Sequence, residues 1–189
     1  MRVFIGIDFE NEIKNRILEL QQRLKKYAVK GRWKHSDNFH LTLKFLDEID
    51  SEQQQLINRA LKNLCSKQQP FSLQISGIGK FNGKDSIRVL WLGLAGDIPV
   101  LNSFQRSIEC ELAPLGFPQE KRCYNPHVTI AQDVVFECGF DEIKRSIGKF
   151  GLNSSVVDSI YLFKSEQVQN KRIYTKIEKY ALNLNLDKT

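Results

Sequence analysis

The chain has 189 residues, with 28 Lys and Arg against 22 Asp and Glu, a formal charge of +6 and a pI of about 9.1. That length fits one domain or two intimate lobes able to bury a full core without disulfide staples, and the charge favours anionic partners without naming one. The four cysteines show neither a CxxC pair nor a Cys/His ligand spacing, so they read as reduced thiols of a cytoplasmic protein.

Residues 3–9, rich in β-branched and aromatic side chains, predict a strand, and Asp8 and Glu10 break the apolar opening long before a signal-peptide core is complete. Ile13, Ile17, Leu20 and Leu24 recur at helical spacing and predict a helix over 11–29. A second strand is expected at 40–46. Ser51, with Gln54 three residues on, is a capping signal for a helix that runs to about residue 65 and ends before Pro70. Residues 71–78 and 87–94 predict strands joined into a hairpin by the loop 79–86.

Ile98, Leu101, Phe104, Ile108 and Leu112 predict a helix over 98–115 that stops at Gly116-Phe117-Pro118. Pro126 suits the start of a strand from 127 to about 132, because proline cannot donate a ladder hydrogen bond. A short helix over 141–149 precedes two closing strands, 156–164 and 172–182, with 167–171 as their turn. The longest comparable apolar run, 89–96, is too short to span a bilayer, so no membrane association is expected. No linker divides residues 1–189, which are expected to form a single bilobal domain.

Two segments stand out. His40-Leu41-Thr42-Leu43 and His127-Val128-Thr129-Ile130 are near-copies that hold two of the three histidines and two of the four threonines. In a strand alternate side chains share a face, so each segment offers an imidazole beside a hydroxyl on one side and apolar residues on the other. One such strand per half predicts two similar α+β lobes facing each other across a cleft. A histidine pair can hold one neutral and one protonated ring near neutral pH, which suits hydrolysis, while threonine hydroxyls can donate to phosphate oxygens. A phosphodiester fits better than an ester or peptide because no nucleophile triad is evident, and neither GxxxxGK[ST] nor GxGxxG occurs.

The paired motifs, the opening Met1-Arg2-Val3-Phe4-Ile5-Gly6-Ile7-Asp8, the run from Asn38 to Leu46 and Ala113-Pro114-Leu115-Gly116-Phe117 resemble the RNA 2′,3′-cyclic phosphodiesterases, also called 2′-5′ RNA ligases, of the 2H phosphoesterase superfamily. The resemblance covers essentially the whole chain. It implies an α+β fold of two pseudo-symmetric lobes, each an antiparallel sheet with helices on its outer face, around a central cleft. It implies hydrolysis of a terminal 2′,3′-cyclic phosphate, on RNA or a cyclic nucleotide, to a 2′-phosphate, with 2′-5′ ligation as related chemistry. No metal or nucleotide cofactor and a monomeric chain are expected. Carried over residue by residue, His40 and His127 are the catalytic pair and Thr42 and Thr129 bind the phosphate. The family-style order has His127 activate water and His40 protonate the departing 3′ oxygen, and near-symmetry leaves the reverse order open. Two departures are visible: Ala131-Gln132-Asp133 where members commonly carry a basic residue, and Asp47 where they commonly carry glycine.

Other residues are weighed against plainer roles. Lys44, at i+4 from His40, lies on the same strand face and could reach a phosphate, or it is simply solvated. Arg32, Lys34, Lys121 and Arg122 flank the motifs and could line an RNA path. Trp33, Phe45, Phe81 and Tyr124 could stack on bases, although aromatic residues are more often core, and His35 lacks the motif and reads as a surface residue. Two rival functions remain: a noncatalytic RNA-end-binding module with the same cleft, and a metallohydrolase with His40 and His127 as ligands but no third ligand at a recognisable spacing.

Overall fold

The computed structural model describes residues 1–148, 150–169 and 171–183. In chain order its elements are β1 (Arg2–Asp8), α1 (Asn11–Lys25), β2 (Ala28–Trp33), β3 (His40–Glu48), α2 (Ser51–Cys65), β4 (Phe71–Asn82), β5 (Ile87–Gly96), α3 (Ile98–Leu112), β6 (Val128–Phe136), α4 (Phe140–Ile147), β7 (Ser155–Val157), β8 (Ser159–Val168) and β9 (Lys171–Ala181). Residue 149, last of the expected fourth helix, and residue 170, in the expected final turn, lie outside the described residues.

The helices follow their apolar stripes. Ile13, Ile17, Leu20 and Leu24 of α1 are all buried, each such side chain stabilising the fold by about 1.5–3 kcal/mol. Because that stripe ends at Leu24, the helix stops at Lys25 rather than continuing to residue 29. The next residues instead form β2, a strand the helical reading missed, which pairs antiparallel with β6 through Arg32 opposite Gln132 and Trp33 opposite Ala131. The cap of α2 lies one residue earlier than expected. The Asp50 carboxylate accepts from Gln53 N at 2.8 Å and Gln53 Oε1 accepts from Asp50 N at 3.1 Å, a capping box with a charged acceptor.

All strands belong to one antiparallel sheet in the order β7-β4-β5-β6-β3-β1-β8-β9, with β2 added on β6. Read outward from the central β6–β3 seam, the two sides match: β5 answers β1, β4 answers β8, and α3 follows β5 as α1 follows β1. These are the two pseudo-symmetric lobes, with α1 against α4 and α2 against α3 on the outside. Each lobe takes strands from the other half of the chain: β8 and β9 extend the sheet from β1, while β4 joins β5 and β2 joins β6. The expected single strand 156–164 is in fact two. β7 pairs with β4 at one end of the sheet, β8 pairs with β1 near the other, and Asp158 alone joins them, so the sheet must curl until its ends meet.

Candidate active site

Both motif histidines stand at the start of a central strand: His40 opens β3 and His127 immediately precedes β6. The two strands meet at Leu41 opposite Val128, both fully buried. Extending that antiparallel register one residue each way places His40 opposite Thr129 and Thr42 opposite His127, on the face away from Leu41 and Val128. Side chains directly opposite on such a pair have Cβ atoms about 4.5–5.5 Å apart. The four expected site residues therefore form one compact quartet across the seam, all half-buried.

Each ring is oriented the same way. His40 Nδ1 lies 2.8 Å from the Asn38 carbonyl and His127 Nδ1 lies 2.7 Å from that of Asn125. A carbonyl only accepts, so both Nδ1 atoms carry hydrogen and a neutral ring presents its lone pair at Nε2. The Thr42 hydroxyl lies 3.1 Å from His40 Nε2 and can donate to it. The repeat thus reads Asn-x-His-x-Thr in both halves, Asn125 matching Asn38.

The rings sit against aromatic walls that also answer each other. Around His40 are Phe4 at 4.6 Å between ring centres, Phe163 at 5.8 Å and Tyr174 edge-on at 5.0 Å. Around His127 are Phe81, edge-on at 5.2 Å, and Trp91 at 6.0 Å. Gly79 is what lets Trp91 lie there, since a Cβ on it would come within 2.2 Å of the indole. Desolvation of the enclosed His40 ring lowers its pKa from 6.5 to about 4; the Asn38 carbonyl and Asp8 pull upward, while Lys34 and His127 push further down.

A bulge follows each motif. On β3, Leu43 has no partner on β1, because Gly6 pairs with Thr42 and Ile5 with Lys44. On β6, Ile130 has none on β5, because Trp91 pairs with Thr129 and Leu90 with Ala131. The carbonyl at each bulge is caught by a buried glutamine from the other half of the chain: Gln105 of α3 donates to Leu43 O at 3.2 Å, and Gln21 of α1 to Ile130 O at 2.7 Å. Neither glutamine carries a local signal of this role.

The bulge corrects the reading of Lys44. An extra residue inverts the alternation. Lys44 therefore turns into the core, where its Nζ meets Glu109 Oε2 at 2.5 Å and the Pro118 carbonyl at 2.8 Å, while Phe45 emerges 59% exposed. Lys44 is neither solvated nor aimed at the cleft. Asp47, further along β3, has φ of 55°, the left-handed region that glycine adopts most readily.

Of the flanking cations, Lys121 and Arg122 are exposed in the loop before His127, and Arg32 is exposed and bound to Asp133. Lys34 is different: it is half-buried, donates to Gln132 Oε1 at 3.0 Å, and has its pKa lowered by burial, then by Arg32 and Arg172. Tyr124 donates to the Thr42 carbonyl at 2.9 Å, a structural role, and Trp33 packs against the core under Lys25. His35 is exposed beside Asp37. Among the described residues no group of three or more His, Cys, Asp or Glu is placed to hold a metal ion, and no helix is long and apolar enough to cross a membrane.

The family model for LigT-like phosphoesterases matches residues 7–91 and again 92–174, one match per half. The chain belongs to the LigT-like phosphoesterase family. A Methanocaldococcus jannaschii protein named RNA 2′,3′-cyclic phosphodiesterase is 32% identical over 95% of this phosphoesterase and 100% of its own length. One of the same name from Methanothermobacter thermautotrophicus is 28% identical over 96% and 99%. Crystal structures of E. coli LigT superpose with a TM-score of 0.79 over 96% of this chain and 97% of theirs, at 25% identity in the apo form and 27% in the complex with 3′-AMP.

Proposed function

We propose that this phosphoesterase hydrolyses a 2′,3′-cyclic phosphate, on an RNA end or a nucleotide, to a 2′-phosphate, with His40 and His127 as the proton-transfer pair and Thr42 and Thr129 as phosphate ligands. The observation that carries the reading is the quartet across the β3–β6 seam, with both Nδ1 atoms tied to asparagine carbonyls so that Nε2 is the lone-pair nitrogen of each neutral ring, that of His40 beside the Thr42 hydroxyl. Water adds to phosphorus opposite the 3′ oxygen, the P–O3′ bond breaks, and the product keeps its phosphate on O2′. One ring takes the proton from water and the other gives a proton to O3′. A ring with a pKa of about 4 is neutral at pH 7, which favours His40 as the base and His127 as the acid, the reverse of the family-style order. The threonine hydroxyls donate to the nonbridging oxygens as charge develops there. With a 5′-hydroxyl in place of water, the same displacement forms a 2′-5′ linkage, and its reversal cleaves one. The chain works as one bilobal unit, monomeric, cytoplasmic and without metal or nucleotide cofactor; a family-model match in each half supports the bilobal unit, and four unpaired cysteines agree with a reducing compartment.

The test is turnover of a nucleoside 2′,3′-cyclic phosphate in EDTA. The expected product is the 2′-phosphate, and His40→Ala and His127→Ala should each lower kcat/KM by about 10²- to 10⁴-fold. Undiminished turnover in both variants rejects the histidine roles, and a 3′-phosphate product rejects the regiochemistry. Loss of activity in EDTA favours a metal mechanism, and salt-sensitive binding without product favours the noncatalytic RNA-end module.

A further inference from the structure

The quartet is nearly symmetric, but its surroundings are not. Beyond Thr129 and the bulge at Ile130, β6 presents Gln132, whose side-chain oxygen holds the Lys34 amine at 3.0 Å. The Lys34 backbone is fixed on both sides: its N–H donates to Ile130 O at 2.9 Å and its carbonyl accepts from Gln21 at 2.9 Å. Arg172, at the start of β9, is brought to the same end of the cleft because Asn38 Nδ2 donates to its carbonyl at 2.8 Å, two residues before His40. Arg172 is half-buried, and its Nη1 lies 3.5 Å from Ser165 Oγ.

Arg172 thus lies close enough for its charge to be felt at Lys34. Among the described residues neither has a carboxylate within 4.0 Å, whereas Arg32 beside them is bound to Asp133. Burial and the neighbouring Arg32 and Arg172 all disfavour the charge on Lys34, and Lys34 in turn is felt at His40. A protein that keeps two like charges together beside its reactive ring bears a cost that a bound anion removes. The other end of the quartet, at His127, is walled by Phe81 and Trp91. Aromatic rings line the His40 end as well, with Phe4, Phe163 and Tyr174 around the imidazole, and Lys34 and Arg172 add charge there.

We propose that Lys34 and Arg172 form a second phosphate subsite at the His40 end, which takes the internucleotide phosphodiester adjoining the cyclic end and so selects chain ends over free cyclic mononucleotides. This rests on the function proposed above and adds a substrate class to it. Lys34, steadied by Gln132, donates to one nonbridging oxygen and the Arg172 guanidinium to another. The single phosphate of a cyclic mononucleotide occupies the quartet and leaves this subsite empty.

The experiment compares kcat/KM for cytidine 2′,3′-cyclic phosphate with that for a cytidylyl dinucleotide ending in a 2′,3′-cyclic phosphate. The unaltered protein should prefer the dinucleotide, and Lys34→Ala or Arg172→Ala should each lower that preference about tenfold, the loss of one charged hydrogen bond. The ratio reads the subsite even where a variant also changes chemistry at the cyclic phosphate. Lys62→Ala, which removes the same charge from an exposed position on α2, should leave the ratio as it was. A ratio unmoved by both cleft variants overturns the subsite while leaving the proposed function standing. Turnover of neither substrate counts against the proposed function instead. In that case binding of the dinucleotide at several salt concentrations decides the subsite: each lost contact should lower the slope of log Kd against log salt by about 0.7, and an unchanged slope rejects it.

Discussion

Replacing Lys44 by methionine separates a structural cation from a catalytic one. Its amine is 2% exposed and reaches Glu109, itself 8% exposed, while Glu109 also accepts from Gln105 at 3.0 Å and from Glu120 N at 3.2 Å. Lys44→Met keeps the volume of the stem but leaves a buried carboxylate with two neutral donors and no counter-ion, and breaking such a pair costs about 3–5 kcal/mol. Glu109→Leu alone should cost a similar amount, because it strands the ammonium. The double variant replaces both charges by apolar groups and should recover most of the loss, to within about 1 kcal/mol of the starting protein. Urea unfolding at constant pH measures all four corners of the cycle, with the slope checked for two-state behaviour. At a temperature where each variant is folded, kcat/KM should stay within about threefold of the parent, since the bulge keeps this amine behind the strand. A Lys44→Met protein of parental stability that has lost activity by about 100-fold would refute the argument and return Lys44 to the phosphate.

Four further outcomes follow from the site. With His40 held near 4 and an unfolded value near 6.5, its contribution to stability is complete above pH 6.5 and is lost as pH falls toward 4, by up to about 3 kcal/mol; His40→Phe should flatten that part of the stability-pH curve. If His40 is the base, the acid limb of kcat/KM should turn over near pH 4 rather than near 6.5, and a limb near 6.5 would restore the family-style order. Gln105→Leu and Gln21→Leu should each cost about 2–3 kcal/mol by orphaning a buried carbonyl, and should lower kcat more than they raise KM because the motif residues shift; equal thermal stability would show that the bulges hold without them. Gly79→Ala should drive the indole off His127, lowering both stability, by about 1–3 kcal/mol, and kcat, and a crystal structure of the variant with Trp91 unmoved would contradict this.

What could be read from the chain was whatever repeats over a short distance. The stripe Ile13, Ile17, Leu20, Leu24 announces α1 because a helix face recurs within a few residues, and the two tetrapeptides announce the quartet because a strand alternates at every step. Features set by distant partners could not be read in this way. Nothing around Leu43 or Ile130 signals a bulge, since the glutamines beside each lie on a helix of the other half, and so the burial of Lys44 was invisible. β2 was hidden because its residues exchange hydrogen bonds with β6, a hundred positions further on. The break at Asp158 was hidden for a similar reason: Val157 and Ile160 look like one apolar strand, and only the destinations of their hydrogen bonds separate them.

That one-residue link between β7 and β8 bears on how freely the two lobes can part. Two halves fastened only along β3 and β6 could swing like a clamshell, but here they are stitched together a second time on the far side, where Asp158 passes from one rim to the other. Parting them would tear out ladder bonds. The groove is therefore a fixed gauge, and a nick or insertion at Asp158 should loosen that gauge before it unfolds the protein.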